Sequence, residues 1–369
     1  MKIVLTGAGG GHFYPLIAVA ERIRKESFIQ KIISPEIYFL SDNPYDEKAL
    51  FDLQIKYIQI PAGKLRLYPS LDTILDMFKT FFGIIIATQK LYSMYPDVVF
   101  AKGGYASFPV LFAARILSIP VVVHESDTVA GRTTMWAGKF ASRVAVSYKD
   151  AIKYFDNKNI ALTGQPIREK IIPEDGFSRV YTKKDRPVIC ILGGSQGSQR
   201  INDVIVTLLP TLLKKYDIVH QVGTKNLADI KSITGLILEN NEYKDRYFVD
   251  GFIDVSLFYP KVDLVITRAG SSLFELAMWQ LPSIIIPIPE TISRDQRSNA
   301  YAYVRTGAAI VLEEGNLTEN ILVTSIEQIL QEEFYTKMVK ACLEFDYSRN
   351  AATLIARELI GIGLSHQEE

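Results

Sequence analysis

The length of the chain, 369 residues, exceeds what one hydrophobic core usually serves, so we expect two domains. Hydrophobic residues make up 48% of the composition, which excludes an intrinsically disordered protein. Lys+Arg and Asp+Glu both total 41, which excludes a general electrostatic attraction to nucleic acid, and we expect no nucleic-acid partner.

Short apolar strand patterns alternate with longer helical patterns through the first half of the chain. Such alternation predicts a parallel sheet whose strands are joined by crossover helices. The strand patterns cover residues 3–5, 37–40, 57–60, 98–100, 121–124 and 144–146.

The first of these strands runs into a glycine-rich turn, Gly7-Ala-Gly-Gly-Gly-His12, which opens a helical pattern. Glycine lets the backbone approach a ligand closely, and the amides at a helix start suit a phosphate. The turn departs from the dinucleotide fingerprint at its sixth position, which is His12, so a Rossmann oxidoreductase is not favoured. His12 itself has two interpretations: it could take a proton from an attacking hydroxyl, or it could be a capping or structural residue.

A bulky apolar segment from Leu71 to Ile86 lies between the third and fourth strand patterns. It carries more aromatic and aliphatic side chains than one buried helix face requires, and Lys64, Arg66, Lys79 and Lys90 surround it. We consider two interpretations, a helix that lies in a membrane interface and an ordinary amphipathic helix packed on the sheet.

The second half of the chain repeats the alternating pattern, with strands expected at residues 188–192, 217–222, 247–251, 264–267 and 283–287. A second glycine turn, residues 193–197, follows the first of them and opens another helix. The pattern loosens between the halves, which places the domain boundary near residue 163. We therefore expect domains at 1–162 and 163–344, and a C-terminal helical segment, 345–369, that could return to the first domain.

Together these patterns predict an α/β protein of two Rossmann-like, doubly wound parallel-sheet domains that face each other across a cleft.

A run of small polar residues in the second half, Thr267 to Glu275, leads from a strand into a helix. Its hydroxyls could donate to a phosphate, and Glu275 could accept bonds from ribose hydroxyls or could be a plain first-turn acid. No Asp-x-Asp triplet occurs, the nearest approach being Glu125-Ser-Asp127, so we expect neither a metal-bound diphosphate nor a cofactor. Arg168 and Arg268 are candidates to supply positive charge instead.

In this order the motifs resemble the MurG family, the UDP-N-acetylglucosamine:lipid I N-acetylglucosaminyltransferases of peptidoglycan synthesis, which have the glycosyltransferase B (GT-B) architecture. The resemblance spans nearly the whole chain. It is carried by Gly10-Gly-His12, Pro96-Asp97 with residues 103–107, residues 120–125, 164–168 and 193–197, His220-Gln221 with Gly223, residues 251–254, Arg268-Ala-Gly270 with Glu275, and Asp295-Gln296 with Asn299-Ala300.

The resemblance implies a donor site for UDP-GlcNAc in the second domain. Phe252 and Ile253 would line the uracil, and Glu275 would bind the ribose. The diphosphate would be held by Ser195, Gln196 and Arg168, and the sugar hydroxyls would be contacted by Gln296 with Asp295. The implied donor-binding residues also include Gly197, Ser271 and Ser272. It also implies an acceptor site for lipid I in the first domain, formed by Gly9, Gly10, Gly11, His12, Tyr105, Glu125 and Asp127.

The reaction that the resemblance implies is an inverting, metal-independent transfer of GlcNAc to the 4-hydroxyl of the muramyl sugar. His12 is our first candidate for the catalytic base and Glu125 our second. The implied location is peripheral, on the cytoplasmic face of the cell membrane, through the Leu71 to Ile86 segment. The sequence agrees with this location. It has only two cysteines and opens directly on a strand pattern, which indicates a reduced compartment.

Three positions depart from the family pattern. The family usually has Thr or Ser where Gly9 stands and Asn where Asp127 stands, and the loop from Arg268 to Glu275 is one residue shorter, which shifts Ser271 and Ser272 by a position. The alternatives are a related glycosyltransferase acting on another lipid acceptor, a UDP-GlcNAc 2-epimerase, and a non-catalytic membrane adaptor that binds a sugar nucleotide.

Overall fold

The computed structural model divides the chain into two compact units. Unit 1 comprises Met1–Glu169 and Tyr347–Glu369, and unit 2 comprises Lys170–Asp346. The structure describes residues 1–64, 71–156, 159–194, 197–289, 294–345 and 347–368. The side chains of Leu71, Asp72, Arg294, Asp295, Gln367 and Glu368 also lie outside that description. The chain leaves unit 1 after residue 169, whereas the sequence placed the boundary near 163.

Each unit is built on one parallel sheet. The strands of unit 1 are β1 (Lys2–Thr6), β2 (Glu36–Ser41), β3 (Lys56–Gln59), β4 (Val98–Ala101), β5 (Val121–Glu125), β6 (Arg143–Val146) and β7 (Ile160–Leu162). The strands of unit 2 are β8 (Val188–Leu192), β9 (Asp217–Gln221), β10 (Tyr247–Asp250), β11 (Leu264–Thr267), β12 (Ser283–Ile285) and β13 (Ala309–Val311). The first sheet has the order β3-β2-β1-β4-β5-β6-β7 and the second β10-β9-β8-β11-β12-β13.

Helices connect these strands. In chain order they are α1 (Gly10–Ile29), α2 (Glu47–Asp52), α3 (Leu71–Met94), α4 (Phe108–Ile116), α5 (Arg132–Gly138), α6 (Gln199–Leu212), α7 (Leu227–Ile237), α8 (Ser272–Met278), α9 (Arg294–Val304), α10 (Glu319–Ile329), α11 (Glu332–Leu343) and α12 (Ala351–Glu368). The expected α/β class with two doubly wound parallel sheets is confirmed. The sequence did not predict the short strands β7 and β13.

The central strands are buried on both faces, which explains their continuous apolar sequences. β4 reads Val-Val-Phe-Ala and all four residues are buried, as expected for a parallel strand covered by helices on both sides. The C-terminal helix α12 lies in unit 1, where Ile355 and Leu359 belong to the same core cluster as residues of α1. Arg357 of α12 also donates from Nε to Glu26 Oε2 of α1 at 2.8 Å.

The strand order reverses direction once in each sheet, between β1 and β4 in unit 1 and between β8 and β11 in unit 2. In open α/β sheets, ligands bind beyond the carboxyl ends of the strands at such a switch point, because the flanking connections leave the sheet on opposite faces. Both glycine-rich turns follow a strand at its switch point, the first after β1 and the second after β8.

Helix α3 has one buried side and one exposed apolar side. One side packs into unit 1, where Ala87 and Leu91 are buried, and a side chain at Gly83 would meet the Pro61 carbonyl. The other side is a set of apolar side chains that are each 49% to 62% exposed: Ile74, Leu75, Met77, Phe78, Phe81, Phe82 and Ile85. We call this set the α3 face. Within the described residues, α3 and every other helix fall short of the combined length and hydropathy that crossing a membrane requires.

Candidate active site

Two glycine turns meet at the switch point of unit 1. Gly9, which precedes α1, has a φ of 75°, and Gly104, which follows β4, has a φ of 81°. A Cβ on Gly104 would lie 2.7 Å from the Cβ of Ala8, so a side chain at this position would separate the two turns. The N-terminus of α1, with residues Gly10 and Gly11 in its first turn, is therefore held against the β4 turn, in a geometry suited to an anion.

His12 lies in the first turn of α1, where its backbone N–H donates to the Gly9 carbonyl at 3.2 Å. The side chain is half-buried, and its Nδ1 atom is fully buried without a hydrogen-bond partner among the described residues. Burial lowers the pKa of His12, Lys102 lowers it further, and Asp127 and a hydrogen bond to the Lys102 backbone raise it. The imidazole is thus biased toward its neutral, proton-accepting form.

Tyr105 is anchored beside the turn by Asp42, which follows β2. The Tyr105 hydroxyl donates to Asp42 Oδ2 at 2.5 Å, and the Tyr45 hydroxyl donates to the other carboxylate oxygen at 2.8 Å. Burial raises the pKa of Tyr105, and Asp42 raises it further. Tyr105 is therefore a fixed hydroxyl rather than an ionisable group at neutral pH.

Glu125 is at the end of β5 and is buried, with four donors around its carboxylate. The N–H groups of Ser126 and Asp127 donate to Oε1 at 2.8 and 3.1 Å. The Gly131 N–H donates to Oε2 at 2.9 Å, and the Thr134 hydroxyl donates to the same oxygen. Because these donors fill the acceptor capacity of the carboxylate, its geometry suits a residue that orders the loop carrying Asp127 better than it suits a base.

Lys102 is a buried cation that sequence reasoning missed. It follows β4 directly, is 1% exposed and places Nζ 2.6 Å from His124 Nδ1, 2.5 Å from Ser126 Oγ and 3.2 Å from Gln165 Oε1. The signal was present in the sequence as a lysine between a four-residue apolar strand and Gly103-Gly104.

Arg168 belongs to unit 1, although the sequence assigned it to the second domain. Its guanidinium lies over the Tyr14 ring, 4.4 Å from the centroid, and its Nε atom is buried without a partner among the described residues. Its assignment to the donor diphosphate stays a prediction.

Close packing also requires glycine in the turn of unit 2. Gly197 has a φ of 77°, and a Cβ there would lie 2.0 Å from the Val222 carbonyl oxygen. Ser198 caps α6, since its hydroxyl accepts from the Ile201 N–H at 3.5 Å. Ser195 and Gln196, which the sequence assigned to the diphosphate, lie outside the described residues.

Gln221, at the end of β9, joins two parts of the expected donor site, and sequence reasoning gave it no role. Its Nε2 donates to the Gly194 carbonyl at 2.9 Å, and its Oε1 accepts from the Ile253 N–H at 3.0 Å. Ile253 points into the core, with 3% exposure, whereas Phe252 is 47% exposed. Of this predicted uracil-lining pair, Phe252 is the one that offers an accessible ring.

Glu275 lies in α8, and its Oε2 accepts from the buried Tyr259 hydroxyl at 3.0 Å. Ser271 and Ser272 stand at the N-terminus of the same helix, so all three predicted residues come together after β11. Gln296 is in α9 and accepts at Oε1 from the Ile288 N–H at 3.4 Å. The side chain of Asp295 lies outside the description.

Arg268, which follows β11, supplies hydrogen bonds within unit 2. One nitrogen donates to the Ile286 and Pro287 carbonyls at 3.0 and 3.2 Å. The other donates to Ser198 Oγ at 2.6 Å and pairs with Glu314. These contacts make Arg268 a brace for the glycine turn.

Comparison with solved structures defines the class of protein. The crystal structure of MurG from Acinetobacter baumannii matches with a TM-score of 0.74 over 98% of this chain and 99% of that chain, at 22% identity. The crystal structure of a UDP-GlcNAc 2-epimerase from Neisseria meningitidis, bound to UDP-GlcNAc, matches with a TM-score of 0.66 over 98% of this chain and 100% of that chain, at 16% identity. The fold is that of the GT-B class, which transferases and epimerases share.

Comparison of the sequence separates these two activities. Residues 3–146 match the glycosyltransferase family 28 N-terminal domain and residues 188–357 match the family 28 C-terminal domain. A relative from Bacillus cereus, named UDP-N-acetylglucosamine--N-acetylmuramyl-(pentapeptide) pyrophosphoryl-undecaprenol N-acetylglucosamine transferase 2, is 34% identical over 348 residues, which are 92% of this chain and 94% of the relative. The chain belongs to glycosyltransferase family 28.

Proposed function

We propose that this chain transfers N-acetylglucosamine from UDP-GlcNAc to the muramyl 4-hydroxyl of undecaprenyl-pyrophosphoryl-MurNAc-pentapeptide, the conversion of lipid I to lipid II. The observation that carries the proposal is the 34% identity over 92% of the chain with a relative named for this reaction. The two glycine turns support the proposal as well, since each unit has one at a helix start beside its switch point, where an expected ligand would bind.

Unit 2 is the donor site in this proposal. Phe252 offers an exposed ring to the uracil, and Glu275, oriented by Tyr259, accepts from the ribose hydroxyls. The N-terminus of α6 receives the diphosphate, because its amides and helix dipole stabilise the negative charge that grows on the departing UDP. Loss of one such donor typically lowers a rate by 10²- to 10³-fold.

Unit 1 is the acceptor site, and His12 is the base that takes the proton of the attacking hydroxyl. We favour His12 over Glu125 because its Nδ1 atom has no hydrogen-bond partner within the described part of the chain, whereas the Glu125 carboxylate accepts from four donors. A positioned base contributes typically 10²- to 10⁴-fold. The step requires no bound metal, since amides supply the charge stabilisation at the diphosphate.

The α3 face is the part of unit 1 that meets the membrane, which holds the acceptor's lipid. Its seven half-exposed apolar side chains lie on one helix, and Lys79 of the same helix has a 62% exposed side chain whose Nζ atom lies 3.6 Å from Asp76 Oδ1. An apolar face flanked by lysine suits the boundary of an anionic bilayer. The protein would act peripherally, on the cytoplasmic face of the membrane.

The test is to incubate the purified protein with labelled UDP-GlcNAc and a soluble lipid I analogue, and to look for the disaccharide product. Formation of β-1,4-linked GlcNAc-MurNAc supports the proposal. Transfer only to a diacylglycerol acceptor would assign a different lipid substrate, a 2-epimer released without acceptor would assign an epimerase, and binding of UDP-GlcNAc without turnover would assign an adaptor.

A further inference from the structure

Lys102 is buried, and within the described part of the chain its direct hydrogen-bond partners are uncharged, while Glu125 and Asp127 are near enough to act on its charge. Its three hydrogen-bond partners are the ring of His124, the hydroxyl of Ser126 and the side-chain amide of Gln165. Burial of an ammonium group without a directly paired carboxylate is costly, and a methionine would fill the same space without that cost. Because burial of the Lys102 ammonium lowers the stability of the fold, we look for a functional role for it.

The hydrogen bonds assign a direction to each contact. His124 Nε2 lies 2.9 Å from the Gly164 carbonyl, which can only accept, so Nε2 carries the ring proton and Nδ1 accepts. Lys102 therefore donates to Nδ1, and its two other protons match Ser126 Oγ and Gln165 Oε1. The ammonium form is fully satisfied, and it ties the ends of β4 and β5 to the segment at residues 164–165.

The backbone positions of Lys102 and His12 lie close together. A Cβ placed on Gly7 would be 3.4 Å from the His12 Cβ and 3.5 Å from the Lys102 Cβ, so the two side chains leave the backbone next to the same glycine. The titratable groups that act on His12 are Lys102 from the end of β4, and Asp127 and His124 from the end of β5. Lys102 opposes a positive charge on His12, and Asp127 favours it.

We propose that Lys102 is a positioning residue for the transfer reaction, whose buried ammonium keeps the His12 imidazole in the neutral form that can accept a proton. The inference rests on the proposed function for its kinetic consequence. Its physical content, the control of His12 protonation by Lys102, does not depend on the substrate.

Lys102 is protonated in the pH range where a histidine ordinarily titrates. Burial lowers the pKa of Lys102 to about 7, against the opposing influence of Glu125 and Asp127, and the pKa of His12 is lowered from 6.5. As the pH falls through about 7, Lys102 acquires its charge. The cation is thus present in the pH range where His12 would otherwise be protonated and lost as a base.

The first experiment follows His12 directly. The chain has four histidines, so ¹³Cε1-histidine labelling gives four resolvable NMR signals, and the signal lost in His12→Gln is that of His12. In Lys102→Met we expect the His12 midpoint to rise by about one pH unit. Lys102→Arg, which keeps the charge, and Lys139→Met, which removes an exposed lysine directly after α5 of the same unit, should leave it in place.

The second experiment measures the pH profile of kcat/KM with the lipid I analogue. The acid limb in Lys102→Met should move to higher pH by the same amount, while activity on the alkaline plateau falls less than at pH 6. A His12 midpoint that stays at its wild-type value in folded Lys102→Met overturns the proposal. If the His12 midpoint moves in Lys102→Met but the acid limb of kcat/KM does not, the role of Lys102 in the transfer reaction is also overturned.

Failure of the proposed function is distinguishable from failure of this inference, because the NMR titration needs no turnover. Where Lys102→Met does not fold, as judged by its near-ultraviolet circular dichroism, Lys102→Gln replaces it. Glutamine keeps a polar side chain with two N–H donors in the buried site and still removes the charge.

Discussion

The two units each place a cationic side chain at the same point of the same topology, fully buried in unit 1 and partly buried in unit 2, and surround it differently. Lys102 follows β4 and Arg268 follows β11, and each of these strands borders the switch point of its sheet. Arg268 pairs with the carboxylate of Glu314 and braces Ser198, whereas Lys102 donates to three uncharged groups. Unit 2 therefore has a permanent, neutralised cation, and unit 1 has a titratable one.

The difference matches what each unit has to do in the proposed reaction. The donor diphosphate needs a rigid turn at the start of α6, and a guanidinium with several fixed acceptors provides rigidity. The acceptor site needs a base that stays neutral, and a nearby ammonium provides that through charge rather than through direct contact. At the same position in the fold, Arg268 holds a turn in place in unit 2, and Lys102 lowers the proton affinity of a neighbouring histidine in unit 1.

The largest expected effect separates the chemical step from donor binding. His12→Gln should lower kcat by 10²- to 10⁴-fold, because the hydroxyl loses its proton acceptor, and should leave UDP affinity unchanged, because His12 belongs to unit 1. Steady-state transfer assays and calorimetry with UDP check the two halves. His366→Gln, in α12 of the same unit, is the control, and near-normal turnover in His12→Gln would remove it from this role.

The next effect compares the two cations through stability. The chain has two tryptophans, Trp136 in unit 1 and Trp279 in unit 2, so single-tryptophan variants report each unit in urea. Arg268→Met should destabilise unit 2 by about 3 kcal/mol, because it leaves Glu314 unpaired in a largely buried site. The loss should be equal at pH 6.5 and pH 9, since arginine stays charged throughout.

Lys102→Met should behave differently in unit 1. Because the pKa of Lys102 is lowered from 10.5 to about 7, the unfolded chain binds a proton between these pH values that the folded chain does not, so the wild type gains stability from this group as pH rises from about 7 to 10.5. The variant lacks that gain, and its stability relative to the wild type should therefore fall over this range. A relative stability that does not vary with pH would show that Lys102 is charged throughout.

The sequence was sufficient for the sheets but not for the polar contacts. Apolar runs such as Val98 to Phe100 predicted the central strands, since strands covered by helices on both faces consist mostly of apolar residues. β7 and β13, which each have three residues and lie at the edges of their sheets, were missed. Glu125 was predicted as the second candidate for the base, and only the structure shows that four local donors occupy its oxygens.

Residues that act by bracing others were the hardest to predict. Gln221 and Lys102 were visible as polar side chains at strand ends, but their partners lie in segments far away in sequence, Ile253 for the first and Gln165 for the second. Arg168 was assigned to the wrong unit because the chain remains in unit 1 until Glu169, beyond the point where the strand pattern loosens.

A smaller effect tests the lipid-facing character of unit 1. The double variant Phe78→Ser, Phe81→Ser removes two aromatic side chains from the α3 face and should weaken sedimentation with anionic vesicles by about tenfold or more. Phe51→Ser, which removes an 83% exposed ring from α2 of the same unit, is the matched control. Equal vesicle binding by the two variants would contradict a membrane role for α3.

The smallest effect concerns the position where the family usually has asparagine. Asp127 raises the pKa of His12, so Asp127→Asn should lower it and move the acid limb of kcat/KM to lower pH by less than about one unit. Asp156→Asn, at an exposed aspartate of unit 1, serves as the control. An acid limb that moves to higher pH would mean that Asp127 does not act through His12.

The central claim is that the two similar units have different ligands, with the uridine nucleotide in unit 2. A crystal structure of the protein with bound UDP tests it most directly. We expect the uracil against Phe252, the ribose hydroxyls on Glu275 and the diphosphate at the start of α6. A nucleotide bound instead at the glycine turn of unit 1, before α1, would contradict the account.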